Sequence, residues 1–492
     1  MLLLDLNEDV LSEIVSHLST QQALDLMLTT RSLQFIAERH VLSVVEIRGL
    51  SSSVGRLTKF CTYMLANGAC RLAHLRSLDI SIFLDLFPND EEELRVCTRL
   101  LASLLEQAHN LRHLALYAVE ALLECEPRIG IAIAAHPDFS QMELHDLGQR
   151  SMEVLRNLRS QPRKVEVHTE SSFSDLHALF SSISSLQQMD TLTLGWNYHD
   201  SVMVAPIPDD FEYTWPAVRQ LEVHTSGVKL STIVRAFPNV RVLNMGRMMN
   251  TPGDPLGIFW PSLDHLSGFP DVLTQLSISC PVHFLCLTTM LGPRVWQVKP
   301  YTPEALLIIR NVSPAALAIA VTVSGMPDTF WSELVHNAPN LHSIYITLSA
   351  DSRDRGLQSV MAAWMDTVPA TLAALSRLVH LELCIHSPLE RGDRSTVNNF
   401  ARQIFGLHPS RNTLEKYSNM LMKRIPSLRQ LAVGYGDMNF SDSPNGPPFD
   451  GKFWWWKVMD VDRERTLETM NPDVGERIRA TLDTPHARRA VE

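Results

Sequence analysis

Two hexapeptides decide the reading of this chain: Leu75-Arg76-Ser77-Leu78-Asp79-Ile80 and Leu111-Arg112-His113-Leu114-Ala115-Leu116. Each runs apolar-x-x-apolar-x-apolar. The last two apolar positions are two apart and so share one face of a strand. The first lies three residues earlier, where the chain turns in from the preceding segment. The pattern returns at Met189/Leu192/Leu194, Val218/Leu221/Val223, Val240/Leu243/Met245, Leu273/Leu276/Ile278, Leu341/Ile344/Ile346, Leu378/Leu381/Leu383 and Leu428/Leu431/Val433. Leu42/Val45/Ile47 and Ala318/Val321/Val323 are weaker candidates.

Outward from each copy the same surroundings recur. Pro216-Ala217, Pro238-Asn239, Pro339-Asn340 and Pro426-Ser427 lead into strands. Proline stops a preceding helix, and a short polar neighbour suits a turn by bonding its own backbone. Upstream, Val96, Leu100, Leu101, Leu104, Leu105 and Ala108 make one helical stripe; Leu176, Leu179, Phe180, Ile183 and Leu186 make a second, and Leu414, Tyr417, Leu421 and Ile425 a third. Asp90-Glu91-Glu92-Glu93 reads as the acidic first turn of the first of these helices. The unit is helix, turn, short strand, loop. Repeated, it predicts an α/β chain with parallel strands on one side and helices on the other.

Composition bounds the function. The chain has 492 residues, too many for one core, with 45% hydrophobic and 20% charged residues, an ordinary globular balance. A net charge of −11 argues against nucleic acid as a partner, since phosphate binding needs a basic face. Met1-Leu2-Leu3-Leu4 runs into Asp5, too short for a signal peptide, and no stretch approaches the ~20 apolar residues of a membrane span. The seven cysteines are scattered without a Cys-x-x-Cys pair, as in reduced, buried thiols. An intracellular protein of cytoplasm or nucleus, without membrane contact, is the expectation.

No enzyme signature is present: no Gly-x-Ser-x-Gly, His-Glu-x-x-His, Walker loop or Gly-x-Gly-x-x-Gly. No catalytic residue, cofactor or metal is therefore expected. Cys280-Pro281-Val282-His283-Phe284-Leu285-Cys286 offers three ligand types but lies in apolar sequence and reads as core; His109/His113 and His136/His145 read as satisfied histidines.

The repeats resemble the leucine-rich-repeat solenoid over roughly residues 70 to 440. Two departures stand out. The family's Asn or Cys after the strand is matched only by Asn197, and first positions lie 22 apart at Val218/Val240 but 36 apart at Leu75/Leu111. The resemblance implies an irregular arc, strands on the concave side and helices on the convex side. Its outward strand residues are Asp79, Ala115, Thr193, Glu222, Asn244, Ser277, Tyr345, Glu382 and Ala432, among which Asp79, Glu222, Tyr345 and Glu382 are the candidate target-binding positions.

Residues 1–48 differ. Val10, Leu11, Ile14, Val15 and Leu18, then Ala23, Leu24, Met27 and Leu28, then Leu33, Ile36 and Ala37 form three short helical stripes. The order and spacing resemble the F-box, with Leu6-Asn7-Glu8-Asp9-Val10-Leu11 where that family has Leu-Pro-x-Glu-x-Leu, and with both family tryptophans absent. The resemblance implies a Skp-type adaptor and a cullin ligase scaffold as partners, adaptor-facing residues Leu6, Val10, Leu11, Ile14, Leu24 and Leu28, and a non-catalytic substrate receptor that holds an unknown protein target on the arc. A scaffold whose degenerate F-box no longer binds the adaptor is the alternative, and the same stripe packing on the solenoid as its amino-terminal cap is a reading that does not exclude adaptor binding. Residues 441–492 form the last segment. Ser441–Lys452 is linker-like, and Phe453-Trp454-Trp455-Trp456 reads as a strand that closes the last sheet edge or as a partner-binding patch. This ending resembles F-box-like proteins of mushroom-forming fungi. The expected domains are thus 1–48, 49–440 and 441–492.

Overall fold

The alternation of apolar residues is realised as parallel strands. The structure, a computed structural model, describes residues 6–29, 31–49, 53–66, 69–82, 91–169, 176–196, 212–224, 229–246, 260–291, 302–323, 326–327, 329–349, 357–386, 411–438, 449–461 and 464–482. The chain divides into two units, Met1–Gly227 with Arg235–Asn239, and Val228–Val234 with Val240–Glu492. The division falls inside the expected arc of 49–440.

In the first unit, three helices, α1 (Glu8–Ser16), α2 (Thr20–Thr29) and α3 (Arg31–Ser43), precede seven strands: β1 (Val44–Gly49), β2 (Ser77–Ile82), β3 (His113–Leu116), β4 (Gln141–Leu147), β5 (Lys164–Thr169), β6 (Thr191–Trp196) and β7 (Gln220–His224). They pair in parallel, each with its successor in the chain. The second unit holds β8 (Val242–Met245), β9 (Leu263–Gly268), β10 (Val282–Leu291), β11 (Ala316–Thr322), β12 (Ser343–Ser349), β13 (His380–His386) and β14 (Gln430–Met438), again parallel and in chain order. There β15 (Phe449–Val461) and β16 (Glu464–Met470) add antiparallel strands beyond β14.

The intervening chain returns as helices that pack on one another in series: Ser53–Ala66 on Glu91–Gln107 and that on Arg128–Ala135 in the first unit, Pro270–Gln275 on Thr302–Val312 and that on Thr329–Asn337 in the second. The strand apolar positions lie beneath them. Leu78, Ile80, Leu114, Leu116, Leu192, Leu194, Leu221, Val223, Leu243, Met245, Ile344, Ile346, Leu381, Leu383, Leu431 and Val433 are all buried. Each fully buried aliphatic side chain of this double row contributes about 1.5–3 kcal/mol.

Eight of the nine pattern copies are strands, and Leu273/Leu276/Ile278 is not. Pro270 stands at the first turn of the Pro270–Gln275 helix, Leu273 and Leu276 are buried from it, and the strand comes later, at Val282/Leu285/Leu287. The spacing i, i+3 fits a helix as well as a turn into a strand, and proline selects the helix start. Phe139/Met142/Leu144 and Pro162/Val165/Val167 are further copies, on β4 and β5. On β11 the register pairs Leu317 with Ile344 and Ile319 with Ile346, four residues before the expected Val321/Val323 pair. In the Glu91–Gln107 helix the buried stripe runs through Cys97 rather than the exposed Val96.

The turn residues bond backward. Asn239 Nδ2 donates to the Pro216 carbonyl at 2.9 Å, Asn110 Nδ2 to the Ala73 carbonyl at 2.7 Å, and Ser427 Oγ to the Leu375 carbonyl at 3.1 Å. Asn239 and Ser427 were expected to bond their own backbone; instead they, like Asn110, tie the turn to the preceding one, ahead of the strands rather than after them. Glu120 performs a comparable tie. It accepts from the backbone N–H groups of Gly148, Arg150 and Ser151 at 2.8–3.0 Å, at the start of the Gln149–Arg156 helix. Burial alone would raise its carboxyl, but these donors outweigh burial and hold it below the ordinary carboxylate value.

Among the described residues no helix is long and apolar enough to cross a membrane.

Candidate functional site

The strand face opposite the helices carries the chemistry of the first unit. Register aligns Glu46, Asp79, Ala115, Glu143, Glu166, Thr193 and Glu222 across β1 to β7. One step further along the strands, Tyr117 follows β3, and His145, His168, Gly195 and His224 align from β4 to β7. Three strands thus carry Glu-x-His: Glu143/His145, Glu166/His168 and Glu222/His224. Residues two apart on a strand share a face, so each carboxylate meets the imidazole of its own strand. The Nε2–Oε1 distances are 2.7, 2.9 and 2.5 Å respectively.

The rings stack across the strands. Tyr117 lies 3.8 Å from His145 and His145 4.1 Å from His168, centroid to centroid, at 6° and 9° between planes. Gly195 makes the second imidazole possible, because a Cβ there would fall inside the His168 ring. The Tyr117 hydroxyl donates to Glu143 Oε1 at 3.1 Å. The hydrogen bond from His145 pulls the Glu143 carboxyl down to about 2, against burial, while burial and the Glu143 charge push the Tyr117 phenol up. At the β1 end Arg48 pairs with Asp79, which is buried. The surface is therefore a half-exposed band of carboxylates and aromatic rings, suited to cationic ligands. His145, Glu166 and His168 are, among the described residues, the group of three whose ligand atoms could meet one ion; these atoms lie within 4.8 Å of one another.

Of the expected target-facing residues, Glu222 lies partly open on this band; the structure corrects the others, since Asp79 is buried in its pair with Arg48, and Tyr345 and Glu382 are buried in the second unit. The cover is a C-terminal helix, Pro472–Leu482, which lies against β15. Arg479 of this helix reaches Glu382 on β13, Nε–Oε2 2.8 Å, with both side chains almost fully enclosed. Its guanidinium also lies 4.9 and 5.0 Å from the ring centroids of Phe453 and Trp455. Gly475 gives the helix close approach, since a Cβ there would enter the Trp455 indole. Tyr345, Cys384, Ala432, Phe453 and Trp455 make one apolar cluster with Phe284 and Cys286. Strand residues that an open sheet would show to solvent have become a second core. Trp455 belongs to this cluster, so the aromatic segment is not an exposed patch, and β16 rather than β15 lies outermost. The linker reading of 441–452 falls largely outside the described residues, and β15 already begins at Phe449.

The remaining sequence candidates resolve individually. Cys280 and Cys286 are buried and His283 Nε2 meets the Leu482 carbonyl at 2.9 Å. His136 is buried with Nε2 3.1 Å from the Ala108 carbonyl, and His113 Nδ1 lies 2.9 Å from Ser77 Oγ.

In the amino-terminal helices, Asn7 caps α1 by accepting from Val10 N at 2.9 Å. Ser19 and Gln22 form a reciprocal capping box at the start of α2. Leu11 is corrected as a surface residue: it is buried with Val15, Leu33, Ile36 and Ala37, and Leu6 packs against them. Val10, Ile14, Leu24 and Leu28 are exposed, Leu28 to 87%. Val10/Ile14 and Leu24/Leu28 are i, i+4 pairs, each on one face of its helix.

The band was missed in the sequence because Met142-Glu143-Leu144-His145 and Val165-Glu166-Val167-His168 were not read as strands; the threefold Glu-x-His was the available signal. In comparison with known proteins, no family model matches the chain and no curated protein matches it.

Proposed function

We propose that this chain is a non-catalytic substrate-receptor subunit of a Skp-cullin-F-box-type ubiquitin ligase, its helices α1–α3 docking the adaptor and its strand face holding a protein target. The repeat units then belong to an irregular leucine-rich-repeat arc, strands concave and helices convex. The observation that supports this reading is the apolar surface of α1 and α2. The three helices fill their own interior with Leu11, Val15, Leu33, Ile36 and Ala37. Val10, Ile14, Leu24 and Leu28 nevertheless remain at the surface. They stand as two exposed i, i+4 apolar pairs, the kind of surface an apolar partner would cover. The mechanism is proximity: tethering target and ligase through one chain raises their effective concentration.

The target surface on this reading is the acidic band of the first unit, Glu143, Glu166 and Glu222, and its charge suits a basic partner. Tyr345 and Glu382 have no part in it, being covered by the carboxyl-terminal helix.

The test is co-purification of the full chain with a Skp-type adaptor, beside an Ile14→Asp/Leu28→Asp variant. Two charges placed in an apolar interface would abolish capture while the far-ultraviolet circular dichroism stays unchanged. A wild-type chain that binds no adaptor would refute the receptor reading in favour of a scaffold with a degenerate F-box.

A further inference from the structure

We infer that His145, Glu166 and His168 form a site for a borderline first-row divalent cation of the Zn²⁺ class. Three observations, none of which needs the ligase reading, carry it. The first is the donor set. Two imidazoles and a carboxylate are the ligands that such ions take in four-coordinate sites. Their nearest ligand atoms lie within 4.8 Å of one another on adjacent strands β4 and β5. Ligand atoms about 2.0–2.1 Å from a tetrahedral ion stand about 3.4 Å apart, so side-chain rotation of little more than ~1 Å closes the site with the backbone in place.

The second is charge. Among the described residues, the two buried carboxylates of the strands each have a fixed cation, Asp79 from Arg48 and Glu382 from Arg479. Glu143 and Glu166, side by side in register, are paired only with imidazoles among the described residues, and Glu143 also with the Tyr117 hydroxyl. No Arg or Lys pairs with either carboxylate among the described residues, and a dication would supply that charge.

The third is preparation of the ligands. Each ring is held by its neighbours: His145 is sandwiched between Tyr117 and His168, and His168 occupies the space that Gly195 leaves empty. Glu143 accepts from His145 and is placed as the partner that orients this ring, as carboxylates beside metal-bound histidines do. Three protein donors leave one coordination position for water or for a donor atom of a bound partner.

The full-length protein, stripped with chelator, is titrated with Co²⁺ and followed by its visible d–d absorption, then with Zn²⁺ in competition. One equivalent is expected to bind with the bands of a four- or five-coordinate nitrogen/oxygen site, and Zn²⁺ to displace it. His145→Ala and His168→Ala each lower the affinity at least tenfold, while His109→Ala, at an exposed histidine elsewhere, leaves it unchanged. Absence of the bands in wild type, or equal affinity in the folded His145→Ala and His168→Ala chains, overturns the proposal. Should those variants unfold, X-ray absorption of the Zn²⁺-loaded wild type decides: two imidazoles with oxygen support the site. A thiolate shell, which the exposed Cys70 and Cys125 could provide, or an all-oxygen shell, refutes it.

Discussion

Replacing Arg479 with Met tests how the carboxyl-terminal helix is held on the strand face. Arg479 is the one cation that the helix sends into the second core, and Glu382 beneath it is fully buried. Met keeps the length and apolar character of the side chain but removes the charge. Glu382 is then left as a buried carboxylate without its cation, a situation that costs about 3–5 kcal/mol. The two ring contacts, to Phe453 and Trp455, would contribute a further ~0.5–2 kcal/mol. Converted at about 1.4 kcal/mol per tenfold, the main effect corresponds to a ~10²–10⁴-fold loss in the equilibrium that keeps the helix closed. The assay is native-state hydrogen exchange of peptides spanning Pro472–Leu482, read as the fall in protection, with the β2–β5 peptides of the other unit as internal control. The double variant Glu382→Leu/Arg479→Met is the discriminating arm. Removing both charges together leaves no orphan, so its protection should recover toward wild type. A double variant as open as Arg479→Met alone, or an Arg479→Met helix with undiminished protection, would refute the ion pair as the latch.

Gly195→Val should push His168 out of its stack and destabilise the first unit by about 1–3 kcal/mol, measured by urea unfolding, because the β-carbon would occupy the space of the imidazole ring. His380, fully enclosed and held by Ser343 Oγ at 2.7 Å, has its imidazole pushed down to about 3, by burial first and by Arg479 second. The unfolded chain therefore takes the proton first, near pH 6.5, so the stability due to His380 is whole above that pH and falls as the pH drops from 6.5 toward 3; His380→Asn should flatten the acid limb of a stability–pH profile by about one proton. In the amino-terminal helices, Leu11→Ala should cost about 2–4 kcal/mol in thermal or denaturant unfolding of that module, and Leu28→Ala less than about 0.5 kcal/mol, since only the first leaves a cavity.

Much of the fold was legible locally. The i, i+2 apolar pair is buried at all eight strands where the pattern was read correctly, since a sheet covered on one face needs only that period. At Leu273 the same letters made a helix, because a three-residue spacing serves either period and Pro270 tipped it. Less of the site was legible. Val10, Ile14, Leu24 and Leu28 are at the surface as expected, but Leu11 and Leu6 pack inward, because α3 supplies Leu33, Ile36 and Ala37 to close on them. A stripe of apolar residues says that a face is covered, not which face of a three-helix unit meets its own neighbours.

Sequence alone therefore determined the repeating strand, its parallel order and the helices between, because each depends on contacts whose period is written in consecutive residues. Tertiary structure decided what lies on the opposite face. Glu222 and Glu382 occupy the same position of the same pattern, yet one remains partly open beside His224 and the other is sealed by an arginine 97 residues away. Likewise Glu143, His145, Glu166 and His168 become one cluster only when the register of β4 and β5 sets them side by side. Which residues a strand presents is a local matter of alternation; what covers them, or aligns with them, depends on pairings between distant parts of the chain.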